Sequence, residues 1–315
     1  MERVSCLKRK TSLAKKSFLR DDINLFLMAI PAITVVLVFS YLPMYGIVLA
    51  FKNYNVQKGI WGSDWVGLKN FAFFFKSNDL YRVLRNTLGL NLLFIFFSIS
   101  CAVCFALMMF EVKKAREVKF YQTISILPTF ISWVATSYMV YGLLDNKKGM
   151  VNQLIVSLGG EAIKFYSEPN WWPLILLLVT LWHGVGYGSI IYYAALMGTD
   201  TNLFEAADLD GASKLQQIRY ISIPQLVPIV TLRLIMAVGG IFRSDFGLFY
   251  NVTRNVGTLY KTTDVIDTYV YRALMEQGSI GLSSAVGLFQ SVVCLVCILI
   301  TNKIVKIITP ENALF

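Results

Sequence analysis

The chain has 315 residues, of which 56% are hydrophobic and only 15% charged, and its mean hydropathy is +0.59. Soluble chains carry roughly 25% charged residues, so this composition excludes an ordinary soluble domain. The net charge of +10 does not mark a nucleic-acid partner, because the basic residues are spread among apolar runs and cluster at their ends, where they set membrane orientation.

Residues 1–22 form a basic tail that holds Arg3, Lys8, Arg9, Lys10, Lys15, Lys16 and Arg20. The apolar stretch behind it has no small-residue cleavage site, so it is expected to remain as an anchor. Six apolar runs follow, at about 23–51 (interrupted by Pro31 and Pro43), 87–110, 120–144 (containing Pro128), 172–197, 226–249 and 280–300. Each reaches the roughly 20 residues that a helix needs to cross a bilayer, and a helix satisfies its own backbone in lipid. None alternates apolar with polar residues, as strands of a membrane barrel would. The expected fold class is therefore an all-α integral membrane protein. Six transmembrane helices lie within 23–308, and a short tail follows at 309–315.

The charge of the tail puts the N-terminus in the cytoplasm, and six crossings return the C-terminus there, beside Lys303 and Lys306. The link carrying Lys113, Lys114, Arg116 and Lys119 agrees, although the first outer loop also carries Lys52, Lys58, Lys69 and Lys76. Trp61, Trp65, Phe71, Phe73, Phe74, Phe75, Trp171 and Trp172 fall next to the runs, where aromatic rings anchor at the lipid–water boundary. Among five cysteines, Cys101 with Cys104 and Cys294 with Cys297 have C-x-x-C spacing. Both pairs lie inside apolar runs, where free cysteine packs as a small hydrophobe. A single histidine and the lack of ligand spacing leave no expected metal site, and Asn251-Val252-Thr253 reads as a chance sequon. No phosphate-binding GxxxxGK[ST] loop is present, so the chain is not expected to hydrolyse ATP.

One polar segment, 200–225, stands between the fourth and fifth runs and so falls on the cytoplasmic side. It reads Glu205-Ala206-Ala207-Asp208-Leu209-Asp210-Gly211, closing on Ile221-Ser222-Ile223-Pro224. Asn202 and Glu205 have capping-box spacing for a short helix. Ala206 and Ala207 keep one face small for a close partner, and Leu203 and Phe204 offer apolar contacts. Gly211 permits a turn into a second helical piece that Pro224 is expected to end. The plain alternative is a cytoplasmic helical hairpin without a partner.

The spacing of this loop resembles that of bacterial ABC importer permeases, with Ile223 where leucine is commoner. The resemblance extends along nearly the whole chain. Tyr41-Leu42-Pro43-Met44-Tyr45-Gly46, Trp65-Val66-Gly67-Leu68, Ile126-Leu127-Pro128, Ile131-Ser132-Trp133 and Val265-Ile266-Asp267-Thr268-Tyr269-Val270-Tyr271-Arg272 are similar to the carbohydrate-uptake, maltose-type branch. Within it they resemble the LplB-like permeases for oligosaccharides and polysaccharide fragments. The resemblance implies a type I importer permease fold in a bacterial cytoplasmic membrane, paired with a second homologous permease. It also implies two ATPase subunits that carry the ATP and Mg, an extracytoplasmic binding protein, and an oligosaccharide as substrate. The ATPase-docking residues would then be Glu205, Ala206, Ala207, Asp210 and Gly211.

Polar and aromatic residues inside spans tend to face a cavity. By the same resemblance, Trp182, His183, Gly184 and Tyr187 fall where maltose-type permeases line their sugar site, although His183 replaces an apolar residue. Packing of the helix is the alternative for these rings. Asp245 matches a sugar-contacting amide, and Arg243 is expected to bind an acidic group such as a uronate carboxylate, with an outer-end position from which it could snorkel. Arg233 is expected to pair within the assembly. The competing functions are a permease for another solute such as a peptide, a stand-alone carrier, and a membrane enzyme. The carrier lacks paired similar halves, and the enzyme lacks a catalytic cluster.

Overall fold

The structure is a computed structural model that describes residues 25–312; the basic tail and Cys6 lie outside the described residues. Among the described residues five helices are long and apolar enough to cross a membrane, and there are six candidate spans if a bent pair is counted as one. The spans are Leu25–Phe51, Asp79–Phe110, the pair Ala115–Phe130 and Trp133–Leu144, Pro169–Met197, Lys214–Gly239 and Ile280–Ile308.

The second and fourth spans pack together at the centre. Leu90 and Phe94 pack with Trp172 and Leu176 at one end, and Ala102 and Ala106 pack with Tyr192, Leu196 and Leu226 at the other. Small residues set this approach. A β-carbon on Gly188 would touch Ala102 Cβ at 3.6 Å, and one on Gly186 would collide with the Ser125 carbonyl of the third span.

Where the spans depart from hydropathy, backbone chemistry explains it. The first span contains a π-helical turn at Leu37–Tyr41 followed by a tight helical piece at Leu42–Phe51. Pro43 has no N–H to donate and its ring crowds the carbonyl four residues back, so the preceding turn widens. The second span begins at Asp79 rather than near 87, because its first turns carry Arg82, Arg85 and Asn86. These polar groups are used. Asn86 Nδ2 donates to the Asp264 carbonyl at 3.1 Å, and Arg85 donates to the Lys261 carbonyl at 2.7 Å. The third run is not one rod: its two halves meet at 98°. Pro128 lies in the first of them, and Ser132 caps the second by accepting from Ala135 N–H.

The fifth span is the largest correction. Expected at 226–249, its helix instead occupies Lys214–Gly239. Ser213 and Gln216 form a capping box at its start, a π-turn follows at Ile218–Ser222, and Pro224 sits in the first turn of the α-helix beyond. Pro224 thus continues the helix after a widened turn and does not end it. Residues 240–279 then fold back on the bundle. Leu248, Phe249, Val252, Leu259 and Val265 are buried against the second and fourth spans, and Ile266–Met275 is a helix. Beneath that helix the fully buried Asp264 carboxylate is held by Arg272 and Arg82 and by Thr268, and the Arg272 guanidinium lies 4.2 Å over the Tyr260 ring.

The first outer loop holds a two-stranded antiparallel ladder, Lys52–Asn53 with Asp64–Trp65. Trp65 stacks on Phe51 with centroids 5.7 Å apart and stays exposed, whereas Phe74 and Trp172, expected at the same boundary, are buried within the chain.

Candidate functional site: a polar belt inside the bundle and a docking loop

Ending the fifth helix at Gly239 leaves residues 240–246 as a turn within the bundle. Three polar side chains from other elements hold it. Asn91 Nδ2 donates to the carbonyls of Ile241 (2.7 Å) and Arg243 (3.1 Å) and to Ser244 Oγ (3.1 Å). Asp267 Oδ2 accepts the Ser244 N–H at 2.7 Å. Gln290 Nε2 donates to the Phe242 carbonyl at 2.5 Å and to both Asp267 oxygens. Asn91 and Gln290 each lie about three helical turns in from the start of their spans. Arg243 is exposed just beyond the end of the fifth helix, and its Nη2 donates to Ser291 Oγ at 3.3 Å.

The break in the third span meets this turn. Trp133, the first residue of the second half, donates its indole N–H to Asp245 Oδ2 at 3.0 Å. The same ring stacks on His183 of the fourth span, with centroids 4.2 Å apart and planes 19° apart. A broken helix leaves carbonyls without intrahelical partners, and His183 meets one: its Nε2 lies 3.1 Å from the Ile131 carbonyl. A carbonyl only accepts, so the proton sits on Nε2. In return Thr129 Oγ1 donates to the His183 carbonyl at 2.6 Å. The ring of His183 is thus occupied by the break and by Trp133. Trp182 is edge-on to His183 at 6.4 Å and 43% exposed, and Tyr187 is 63% exposed. Gly184 and Asp245 are exposed at the same surface.

The structure therefore brings His183 and Asp245 together through Trp133, with Trp182 and Arg243 nearby on their elements. Tyr187 stands about one turn further along, where it lines a cavity of about 420 Å³ with Gly188, Ile190, Ile191 and Arg233. Trp133, Asn91, Asp267 and Gln290 were not among the expected site residues. The signal was present in part: each is polar or aromatic in an apolar context, and Trp133 follows a proline break.

At the opposite end of the bundle the expected docking loop forms a helix, Thr201–Leu209. Its cap is Asp200, which accepts from Asn202 N–H at 3.0 Å, so the expected Asn202–Glu205 box is replaced by a cap two residues earlier. Gly211 has φ +75°, a left-handed conformation that suits glycine, and it turns the chain toward Lys214. Asp208 braces the turn from Gln217 and Lys214. Phe204 packs on Phe110 at 5.6 Å and so faces its own chain. Glu205, Ala206 and Asp210 are exposed, Ala207 is half-buried, and Leu209 is 90% exposed.

A family model described as "Binding-protein-dependent transport system inner membrane component" matches residues 80–311. The chain belongs to this family. It is 36% identical over 294 residues to Protein LplB of Bacillus subtilis strain 168, covering 93% of this chain and 92% of that one. It is also 36% identical over 299 residues to the polygalacturonan/rhamnogalacturonan transport system permease protein YteP of the same organism, with 95% and 92% covered. Among solved structures, a chain of a bacterial ABC transporter involved in the import of the acidic polysaccharide alginate superposes with a TM-score of 0.84 at 33% identity. The match covers 93% of this chain and 98% of that one. A second structure of that kind, with an alginate pentasaccharide-bound periplasmic protein, also gives 0.84. As a member of this family the chain is a membrane-spanning permease subunit of an ABC importer with the type I permease fold, and ATP hydrolysis belongs to separate subunits.

Proposed function

We propose that this chain forms one half of the translocation pathway for an oligosaccharide, with the belt around Trp133 as its substrate-facing surface. The observation that carries the reading is the joining of two broken helices by the Trp133–Asp245 hydrogen bond. Polar groups at this depth cost energy in lipid and are retained where a cavity or partner uses them. Sugars offer flat C–H faces and hydroxyls, and this surface offers Trp182, Trp133 and Tyr187 beside Asp245 and the Arg243 guanidinium. His183 serves here by holding Trp133. Gly184 leaves the wall open, since no heavy atom lies within 4 Å of where its β-carbon would be. The relatives described as acting on polygalacturonan, rhamnogalacturonan and alginate support an acidic polysaccharide fragment as the cargo.

In this reading the N- and C-termini and the 198–213 loop are cytoplasmic. The Thr201–Leu209 helix inserts into an ATPase subunit, with Glu205, Ala206, Ala207, Asp210 and Gly211 shaping the contact. A second homologous permease completes the pathway. Two ATPases carry ATP and Mg, and a binding protein delivers the sugar from outside. The test is reconstitution of the whole assembly. Asp245→Ala should lower oligosaccharide uptake at least tenfold with assembly intact. Glu205→Lys or Gly211→Asp should leave ATPase activity unresponsive to the loaded binding protein. Normal uptake in the loop variants would refute the docking assignment, and uptake of peptides but not sugars would refute the substrate.

A further inference from the structure

The two arginines of this region differ in electrostatic setting. Arg243 forms no ion pair among the described residues, but Asp267 lies close enough to interact with its charge, and Asp245 is two residues on. Arg233 is different. It is the one charged residue in the apolar helix Ile223–Gly239. Among the described residues, no carboxylate lies within ion-pair distance of it. The Tyr192 hydroxyl lies close enough to interact with it, a neutral group that does not cancel its charge.

Arg233 also lines a space. The cavity of about 420 Å³ that it shares with Tyr187, Gly188, Ile190 and Ile191 lies within the range of small-ligand pockets, roughly 300–1,000 Å³. Tyr187 connects this cavity to the belt above. A guanidinium in such an apolar helix needs an anion or water, and its planar fork matches a carboxylate.

We infer that Arg233, beside Tyr192, is an anion-binding subsite below the polar belt, and that it receives a uronate carboxylate of the sugar chain on its way inward. The hydroxyl-binding belt at Arg243 and Asp245 then selects for sugar, and Arg233 selects for acidic sugar. The inference rests on the oligosaccharide reading above and names the residue that carries its preference for acidic cargo.

The test uses the complete assembly in proteoliposomes, with binding protein saturated by either an oligogalacturonate or its methyl ester. The ester keeps the shape and removes the charge. Arg233→Gln should slow uptake of the charged form at least tenfold relative to the ester, and Arg233→Lys should restore most of that difference. Arg243→Gln should slow both forms alike. Equal loss of both forms in Arg233→Gln would overturn the assignment in favour of pairing within the assembly, and so would no loss of either. Wild-type transport of neither form would sink the sugar reading and this assignment with it. Where the wild type carries both forms, the sugar reading stands and the Arg233→Gln ratio tests the subsite alone. Copurification of the variant with its partner subunits excludes simple misfolding.

Discussion

Gly247 decides whether the Trp133 platform can exist. A β-carbon at this position would lie 2.7 Å from Trp133 Cγ and 2.9 Å from Nε1, with Cδ1 nearer still. The indole cannot retreat freely, because it is also stacked on His183 at 4.2 Å. Two routes are open to Gly247→Ala. The ring can be pushed while staying in place, which costs about 1–3 kcal/mol for a forced core displacement. Alternatively it can swing away and lose its bond to the Asp245 carboxylate, about 1.5–3 kcal/mol for a charged partner, together with a stack of about 0.5–1.5 kcal/mol. The cheaper route sets the effect, so the expected penalty is about 1–3 kcal/mol, or roughly 5- to 150-fold in the population of the intact site. Oligosaccharide uptake by the reconstituted assembly should fall accordingly, with subunit assembly unchanged. The decisive measurement is a double-mutant cycle. In a Trp133→Ala background the clash is gone, and Gly247→Ala should cost almost nothing more. If the glycine substitution is just as harmful without the indole, the platform argument is wrong.

Two further perturbations probe the scaffold. Asp264→Ala removes the fully buried carboxylate between Arg272 and Arg82 and strands the Arg272 guanidinium, while Arg82 keeps Asp79; this should destabilise the region by about 3–5 kcal/mol. Hydrogen exchange across residues 257–275 should accelerate, and unchanged protection would count against the network. At the turn after the third span, the N–H groups of Lys148 and Lys147 hold the Asp145 carboxyl below its ordinary value of 3.8. Its contribution is therefore present above 3.8 and lost as pH falls through the lowered value. Asp145→Asn should keep the turn and abolish the acid-side change in its amide exchange; a persisting acid dependence would refute this origin.

Much of the architecture was legible in the chain itself. Apolar runs of bilayer length specify helices, because lipid offers no other partner for the backbone. The loop spacing from Glu205 to Pro224 marked both the family and the end of the bundle where the polar helix forms. Gly211 could be anticipated as a turn because few other residues accept its backbone conformation. The candidate substrate residues at 182–187 came from the family resemblance, and they lie on one stretch of the fourth span where Trp182 and Tyr187 are exposed.

Tertiary structure decided where helices stop. Hydropathy averages over a window, so it reported the fifth span as continuous through Phe249 and the third as a single run. Both break, and the breaks persist because distant groups satisfy the freed backbone: Asn91, Asp267 and Gln290 for residues 241–244, and His183 for the Ile131 carbonyl. Such pairings join residues far apart in sequence, which no local pattern encodes. The same reason separates the two arginines. In sequence Arg233 and Arg243 are both cations in an apolar setting, and only the folded chain brings Asp267 near Arg243 and leaves Arg233 facing a cavity.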